Sequence, residues 1–229
     1  NATKVMIDHH QDPDSEIADI IFSDTGACST AQMVFEVIDA MDMTTYLNKA
    51  IAECLYVGIM TDTGSFKYAS TTAKTHNVIA QLINAGANNA KIHDLIYDNS
   101  SATRIKLLGY CLNEKLRLYP ENNAAIISLN DEELKRFEFK KGDTEGFVNY
   151  ALAIEGIKFA IFIAEKDGMV KLSLRSKGNF KVNGIANKYF SGGGHMNASG
   201  GISELTVSET ITKVEKIINK YKTELNKAN

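Results

Sequence analysis

Short apolar runs alternate with segments of helical spacing over the first hundred positions. Residues 4–7 form one such run, and residues 55–60 form a nearly continuous one, which predicts a buried strand at each place. The segments between and after them repeat apolar positions every three to four residues, which predicts helices. The first of these helices is capped by Ser29 or Thr30, and the second covers 47–54. The third is capped by Thr71 or Thr72 and closed by Gly86. Strands that alternate with helices predict a parallel sheet.

The pattern changes after a helical segment at 100–111. A turn at 120–123 separates two apolar runs and predicts a hairpin, and the rest of the chain mixes strand and helix signals. We therefore predict a first domain over 1–104, a linker over 105–112 and a second, smaller α+β domain over 113–229. The elements predicted there are strands at 124–129, 159–165 and 170–175 and helices at 131–137, 145–153 and 208–225.

Composition and charge narrow the classes of protein. The chain has 229 residues, 44 % of them hydrophobic and 23 % charged, with only 2 prolines, which is typical of a globular protein. The longest apolar run, 159–164, is too short for the ~20 residues that span a bilayer. A formal net charge of −3 argues against a protein dedicated to long duplex DNA and indicates local contacts with short polyanions. We expect no membrane partner.

The three cysteines indicate a reducing compartment. Cys28, Cys54 and Cys111 are odd in number and widely spaced, so they suit neither a disulfide framework nor a zinc site. Each lies on the apolar face of a predicted helix, and we interpret all three as small core residues. We expect the protein in the cytoplasm.

Acidic and imidazole side chains follow the two predicted strands of the first domain. Asp8, His9 and His10 come directly after the first strand, and Asp62 follows the second. Carboxyl ends of parallel strands meet at one edge of a sheet, so these groups are expected to share a crevice. Imidazole with carboxylate suits Mn, Zn or Fe. The alternatives are a pair of surface histidines and, for Asp62, a turn cap.

A glycine-rich segment marks the second domain. Five of the sixteen glycines lie within 192–201 around His195, where small residues let backbone N–H groups approach an anion. Arg175 closes an alternating strand upstream and could bind a phosphate bidentately. A flexible loop and a solvated strand end are the alternatives. His76 and His93 lie in helical segments without acidic or cysteine companions, and we assign them no chemistry.

Three motifs in this order resemble the DHH/DHHA1 phosphoesterases. They are Ile-Asp8-His-His10, Gly58-Ile-Met-Thr-Asp62-Thr-Gly-Ser-Phe, and Gly-Gly-Gly-His195 with Ala198-Ser-Gly-Gly. The resemblance covers essentially the whole chain and is strongest to the bacterial nanoRNase type. It implies an α/β protein in which a parallel-sheet DHH domain, without its N-terminal part, precedes a smaller α+β DHHA1 domain, with the active-site cleft between them.

The resemblance also implies roles for individual residues. His9 is expected to bind metal, Asp62 to bridge two Mn²⁺ ions, and His10 to contact phosphate, while Asp8 orients the histidines. Mg²⁺ and Co²⁺ are alternative ions. In the second domain the resemblance implies that the substrate's terminal phosphate or base is held by a set of residues comprising Arg175, Gly193, Gly194 and His195.

Two N-terminal motifs of the family are absent from this chain. We therefore expect the remaining metal ligands upstream of residue 1, and we expect the 229-residue chain by itself to be inactive.

The function implied is hydrolysis of short oligoribonucleotides or linear dinucleotides to mononucleotides, and of 3′-phosphoadenosine 5′-phosphate to AMP. A RecJ-like single-strand exonuclease and a cyclic-dinucleotide phosphodiesterase are alternatives, as is a non-catalytic nucleotide-binding module. The partners expected are short RNA and nucleotide bisphosphates, and a homodimer is common in this family.

Overall fold

A computed structural model describes residues 2–10, 13–14 and 16–228. The chain divides into two compact units, Asn1–Asn99 and Ser100–Asn229. They meet a few residues before the boundary predicted near residue 105. The predicted linker is helical, because a helix at Ala102–Tyr110 continues into a π-helical turn at Cys111–Lys115.

Unit 1, residues Asn1–Asn99, places a two-stranded parallel sheet beside four helices. The strands are β1 (Val5–Asp8) and β2 (Ile20–Ser23), and the helices are α1 (Thr30–Ala40), α2 (Lys49–Asp62), α3 (Ala73–Asn84) and α4 (Asn89–Ile96). Strand β1 and the parallel pairing confirm the sequence-based expectation. Strand β2 was not predicted, although residues 20–22 form a short apolar run, and all its residues are exposed.

Side-chain caps fix where the helices of unit 1 begin. Ser29 accepts a hydrogen bond from the Gln32 amide at the start of α1, and Thr72 forms a capping box with Thr75 at the start of α3. Both satisfy backbone donors that the first helical turn leaves unpaired. Both caps agree with the residues predicted from the sequence. Gly86 follows α3 with a φ of 103°, a conformation that favours glycine.

The prediction of a helix at 47–54 and a strand at 55–60 was wrong. One unbroken helix, α2, covers both segments. Its buried residues follow helical spacing and are Ala52, Leu55, Tyr56, Ile59 and Met60. A short apolar run cannot distinguish a buried strand from a buried helix. Asp62 therefore lies at the C-terminal end of a helix, not at the end of a strand.

Unit 2, residues Ser100–Asn229, contains a mixed six-stranded sheet in the order β3-β4-β5-β6-β8-β7. Its strands are β3 (Leu116–Tyr119), β4 (Ala124–Leu129), β5 (Phe159–Lys166), β6 (Met169–Ser176), β7 (Gly193–His195) and β8 (Ala198–Ser203). Only β4 and β5 pair in parallel. The helices are α5 (Ala102–Tyr110), α6 (Asp131–Arg136), α7 (Phe147–Ala153), α8 (Asn183–Phe190), α9 (Val207–Lys220) and α10 (Lys222–Lys227).

The sheet of unit 2 has a hydrophobic core on each face. Side chains alternate along a strand, so Ile126 and Ile161 contribute to one core while Ile127 and Phe162 contribute to the other. Every residue of β4 is buried as a result. The α+β architecture and the main strands agree with the sequence-based prediction. The glycine-rich segment differs from the loop alternative, since it forms the hairpin β7-β8.

The structure corrects one cysteine assignment. Cys28 and Cys111 are buried, whereas Cys54 is exposed on α2. Burial raises the pKa of the Cys111 thiol to about 12.

Among the described residues, no helix has both the length and the apolar character needed to cross a membrane.

We predict selective labelling of Cys54. At pH 8 iodoacetamide should modify Cys54, because thiolate is the reactive form and the buried thiols are inaccessible. Cys28 and Cys111 should react only after unfolding in guanidinium chloride, which peptide mass spectrometry before and after denaturation would show. Labelling of Cys111 in the native protein at the rate of Cys54 would contradict the burial.

Candidate functional site

The first candidate site lies in unit 1, where β1 and α2 both end. His9 follows β1 and is buried, with 8 % of its side chain exposed, and its Nε2 lies 3.7 Å from Asp62 Oδ2. Asp62 is 45 % exposed, so its carboxylate is accessible while its histidine partner is not. The structure thus brings together the two residues predicted as metal ligands.

A backbone carbonyl determines the tautomer of His9. Its Nδ1 lies 3.4 Å from the Ala27 carbonyl oxygen, which can only accept a hydrogen bond. Nδ1 therefore carries the proton, and in the neutral ring Nε2 is left with a lone pair on the side of Asp62. Metal-binding histidines in proteins are commonly oriented in this way by a carbonyl bound to the other ring nitrogen.

A buried polar network holds the segment that carries Ala27. The Gln32 side chain is buried, and its Oε1 accepts hydrogen bonds from Cys28 at 3.0 Å and from Thr75 at 2.8 Å. Its Nε2 donates to Glu36 at 2.8 Å. The network ties the start of α1 to α3, so the carbonyl facing His9 has a fixed position. Sequence reasoning missed this role of Gln32, because the contact that ties it to α3, with Thr75, joins residues 43 positions apart.

Asp8 and His10 form a second pair. His10 Nδ1 donates to Asp8 Oδ1 at 2.7 Å, and this hydrogen bond holds the pKa of the Asp8 carboxyl below its usual value. The His9 and His10 rings are in edge contact, with centroids 4.6 Å apart. Asp8 thus directly orients His10, whereas a backbone carbonyl orients His9.

A strained turn follows Asp62. Gly64, Ser65 and Phe66 all have positive φ, which is costly for the last two. Ser65 Oγ lies 3.2 Å from His93 Nε2, and His93 Nδ1 donates to the Asn89 carbonyl at 2.8 Å. His93 therefore supports the turn beside Asp62, a contact that spacing along the sequence did not reveal. A side chain at Gly64 would collide with the Tyr68 ring, its Cβ lying 2.5 Å from that ring.

The donor set of unit 1 fits a divalent transition metal. His9 offers a neutral imidazole nitrogen and Asp62 a carboxylate, and both types of ligand suit Mn²⁺, Fe²⁺ and Zn²⁺. His10, the other imidazole at this site, is hydrogen-bonded to Asp8.

The second candidate site lies in unit 2, at the hairpin β7-β8. Gly193, Gly194 and His195 pair with Gly200, Ser199 and Ala198. All three residues of β7 are exposed. Ser199 is buried and donates its hydroxyl hydrogen to the His195 carbonyl at 2.9 Å, which holds the turn of the hairpin.

The glycines at 192–194 differ in how much space a side chain would have. A Cβ at Gly192 would lie 2.0 Å from the Gly200 carbonyl oxygen, so packing excludes any side chain. Gly194 has a φ of 135°, and a Cβ there would lie 2.7 Å from the Ala198 carbonyl oxygen. A Cβ at Gly193, in contrast, would meet no atom within 4 Å. Packing therefore explains Gly192 and Gly194 but not Gly193.

Arg175 lies on β6 beside this hairpin. It is paired in register with Ala198, and its Nη1 donates to the carbonyls of Leu174 at 2.9 Å and Ser199 at 3.4 Å. The structure thus brings the guanidinium next to the glycine hairpin, as the sequence-based hypothesis requires.

Comparisons with known proteins agree with these motifs. The DHH family N-terminal domain matches residues 1–59, and the DHHA1 domain matches residues 122–227. The first match contains Asp8, His9 and His10, and the second contains Arg175 and the glycine hairpin, while Asp62 lies between the two matched ranges. The chain belongs to the DHH/DHHA1 family of phosphoesterases.

Two similar proteins come from bacteria. The chain is 32 % identical over 201 residues to the bifunctional oligoribonuclease and PAP phosphatase NrnA of Bacillus subtilis, covering 87 % of this chain and 62 % of that protein. It is 32 % identical over 197 residues to the probable NrnA of Streptococcus mutans, covering 86 % of this chain and 61 % of that protein. The chain thus spans about three fifths of the length of these relatives.

A solved structure has a closely similar fold. An exopolyphosphatase-related protein from Bacteroides fragilis is 39 % identical and aligns with a TM-score of 0.94, over 99 % of this chain and 66 % of that chain.

We predict that alanine lowers the stability of unit 2 at position 192 and leaves it unchanged at position 193. Gly192→Ala should destabilise unit 2 by about 2–3 kcal/mol, because the methyl group has no space. Gly193→Ala should leave the thermal midpoint unchanged within about 1 °C. Thermal unfolding followed by circular dichroism measures both, and Gly184→Ala in α8, another glycine with open space, is the control. Equal destabilisation at 192 and 193 would contradict the packing described.

Proposed function

We propose that the protein containing this chain is a two-metal phosphoesterase that hydrolyses short oligoribonucleotides and linear dinucleotides to mononucleotides, and 3′-phosphoadenosine 5′-phosphate to AMP. The observation that carries the proposal is the approach of His9 to Asp62, with the histidine tautomer fixed for metal binding. The names of the relatives from B. subtilis and S. mutans support the substrate class.

His9 and Asp62 would hold the metal, with Mn²⁺ as the proposed ion and Mg²⁺ or Co²⁺ as alternatives. Such ions activate water and neutralise charge that develops at phosphorus. Burial of His9 keeps its ring in one orientation, while the exposed Asp62 carboxylate can reach more than one ion. His10, oriented by Asp8, would contact a phosphate oxygen.

The hairpin of unit 2 would hold the end of the substrate. Its exposed glycines allow close approach of a phosphate to the backbone, and the open space at Gly193 is consistent with a ligand there. Arg175 places a positive charge beside the same strands. His195, exposed at the end of β7, would contact the phosphate or the base.

Two ligands are few for a catalytic metal site, which usually has three or more protein ligands. We therefore propose that the 229-residue chain by itself has no robust turnover and that a longer gene product containing it is active. We also propose a cytoplasmic protein and a homodimer as its assembly.

We predict that Asp62→Asn abolishes turnover. Release of AMP from linear diadenylate in Mn²⁺, followed by chromatography, should fall by about three orders of magnitude, because a carboxylate that would hold the metal is lost. Asp94→Asn, an exposed carboxylate on α4, is the matched control and should retain activity.

The assay compares the 229-residue chain with the longer gene product, with 3′-phosphoadenosine 5′-phosphate, cyclic diadenylate, pyrophosphate and long single-stranded DNA as further substrates.

The same assay discriminates the alternatives. Turnover of diadenylate and not of the long DNA supports the proposal, whereas preference for long DNA indicates a RecJ-like exonuclease. Nucleotide binding without hydrolysis of any substrate by the longer gene product would replace the proposal with a binding module. Robust turnover by the 229-residue chain would refute its proposed inactivity.

We further predict that Gly193→Ala acts on substrate and not on stability. The KM for diadenylate should rise about tenfold, because a methyl group would displace the phosphate from the backbone, while kcat changes less. Gly184→Ala should leave both constants unchanged. An unaltered KM in Gly193→Ala would argue against the hairpin as the phosphate site.

A further inference from the structure

The formal net charge of −3 is the sum of a negative net charge on unit 1 and a positive net charge on unit 2. Unit 1 contains five Lys and Arg residues against thirteen Asp and Glu, a formal net charge of −8. Unit 2 contains twenty against fifteen, a net charge of +5. The low charge of the whole chain therefore does not argue against phosphate contacts on unit 2.

Part of this positive charge surrounds Tyr189, at the end of α8. Lys220 Nζ donates to the Tyr189 hydroxyl oxygen at 3.0 Å, and Lys213 Nζ donates to the Tyr189 carbonyl at 2.6 Å. Lys188 Nζ lies 5.5 Å from the centroid of the Tyr189 ring. Two helices, α8 and α9, thus bring two ammonium groups to the Tyr189 side chain and a third to its backbone carbonyl. We call these four residues the Lys–Tyr surface.

Helical periodicity places a further lysine on the face of α9 that carries Lys213 and Lys220. Lys213, Lys216 and Lys220 are spaced by three and four residues, so they share one face of α9. Lys188, Lys216 and Lys220 are exposed, and Lys213 is half-buried.

The nearby acidic side chains do not neutralise the surface. In the described part of unit 2, no carboxylate oxygen lies within 4 Å of the Lys188, Lys213 or Lys220 ammonium group. Glu209 shares the lysine face of α9 but accepts hydrogen bonds from Thr206 in the capping box. Glu224 lies near Lys220 and raises its pKa only as a minor cause, after the hydrogen bond to Tyr189.

The Lys–Tyr surface adjoins the hairpin on the same unit. Helix α8 ends at Phe190, and a Cβ at Gly201 on β8 would lie 2.6 Å from Phe190 Cβ, so the end of the helix packs directly on the hairpin. The hairpin and the Lys–Tyr surface therefore both adjoin the C-terminal end of α8.

We propose that the Lys–Tyr surface is a second, non-catalytic site that binds the backbone phosphates of single-stranded RNA beyond the nucleotides held at the hairpin. Lysines act as point charges that contact phosphates without reading sequence, and an aromatic ring beside them gives a base a surface for stacking. The inference rests on the proposed function for its ligand, an oligoribonucleotide. It adds that oligonucleotides longer than two residues gain affinity that dinucleotides and nucleotide bisphosphates do not.

The test measures binding without catalysis. A fluorescein-labelled RNA pentamer is titrated with the 229-residue chain in EDTA, and anisotropy is followed between 50 and 200 mM KCl. In Lys188→Gln/Lys220→Gln we expect about tenfold weaker binding of the pentamer at the lower salt. The log–log salt dependence should be shallower by roughly 1.4, since each phosphate contact in a single strand contributes about 0.7. Competition by unlabelled diadenylate should be unchanged.

The matched control is Lys140→Gln/Lys141→Gln, which removes the same charge from exposed side chains elsewhere on unit 2. It should retain the affinity and the salt slope. Equal losses in both double variants would reduce the effect to net charge and overturn the site, as would unchanged pentamer binding in Lys188→Gln/Lys220→Gln or no pentamer binding by the unmodified chain. Because no metal or turnover is involved, failure of the hydrolysis assay leaves this result independent.

Discussion

The contact between α1 and α2 is the constraint on which the candidate metal site depends. The two helices approach so closely at Gly58 that a Cβ there would lie 2.6 Å from the Ala31 Cβ. Both partners of His9 depend on this packing: Ala27 lies just before α1, and Asp62 is the last residue of α2. A side chain at position 58 would displace one helix relative to the other. The glycine within the motif is therefore a packing residue that fixes the distance between two functional groups.

The two units carry chemical groups of opposite character. Unit 1 is acidic and carries imidazole and carboxylate ligands, which suit cations. Unit 2 is basic and carries a hairpin with exposed backbone, a guanidinium and a cluster of ammonium groups, which suit anions. Strongly polar groups of opposite sign are thus built on separate cores, each stabilised by its own apolar side chains.

Several elements could be predicted because their signals are local. The starts of α1 and α3 follow from Ser29 and Thr72, whose side chains bond to amides within three residues. The apolar strands β4 and β5 follow from runs long enough to identify them. The prediction failed at α2, whose apolar run at 55–60 is equally compatible with strand and helix, and at Cys54, which was placed on the apolar face of a helix and is exposed. The prediction also missed strand β2, whose short apolar run at 20–22 was not interpreted as a strand.

The sequence by itself determined which chemical groups are present and the family to which they belong, because the three motifs keep their order and composition along the chain. Only the tertiary structure decided how these groups act on one another. It gave His9 its tautomer through the Ala27 carbonyl and paired Asp8 with His10. It supported the Asp62 turn through His93, and it gathered three lysines around Tyr189. These contacts join residues on different elements, and local periodicity carries no information about distances that the packing of those elements sets.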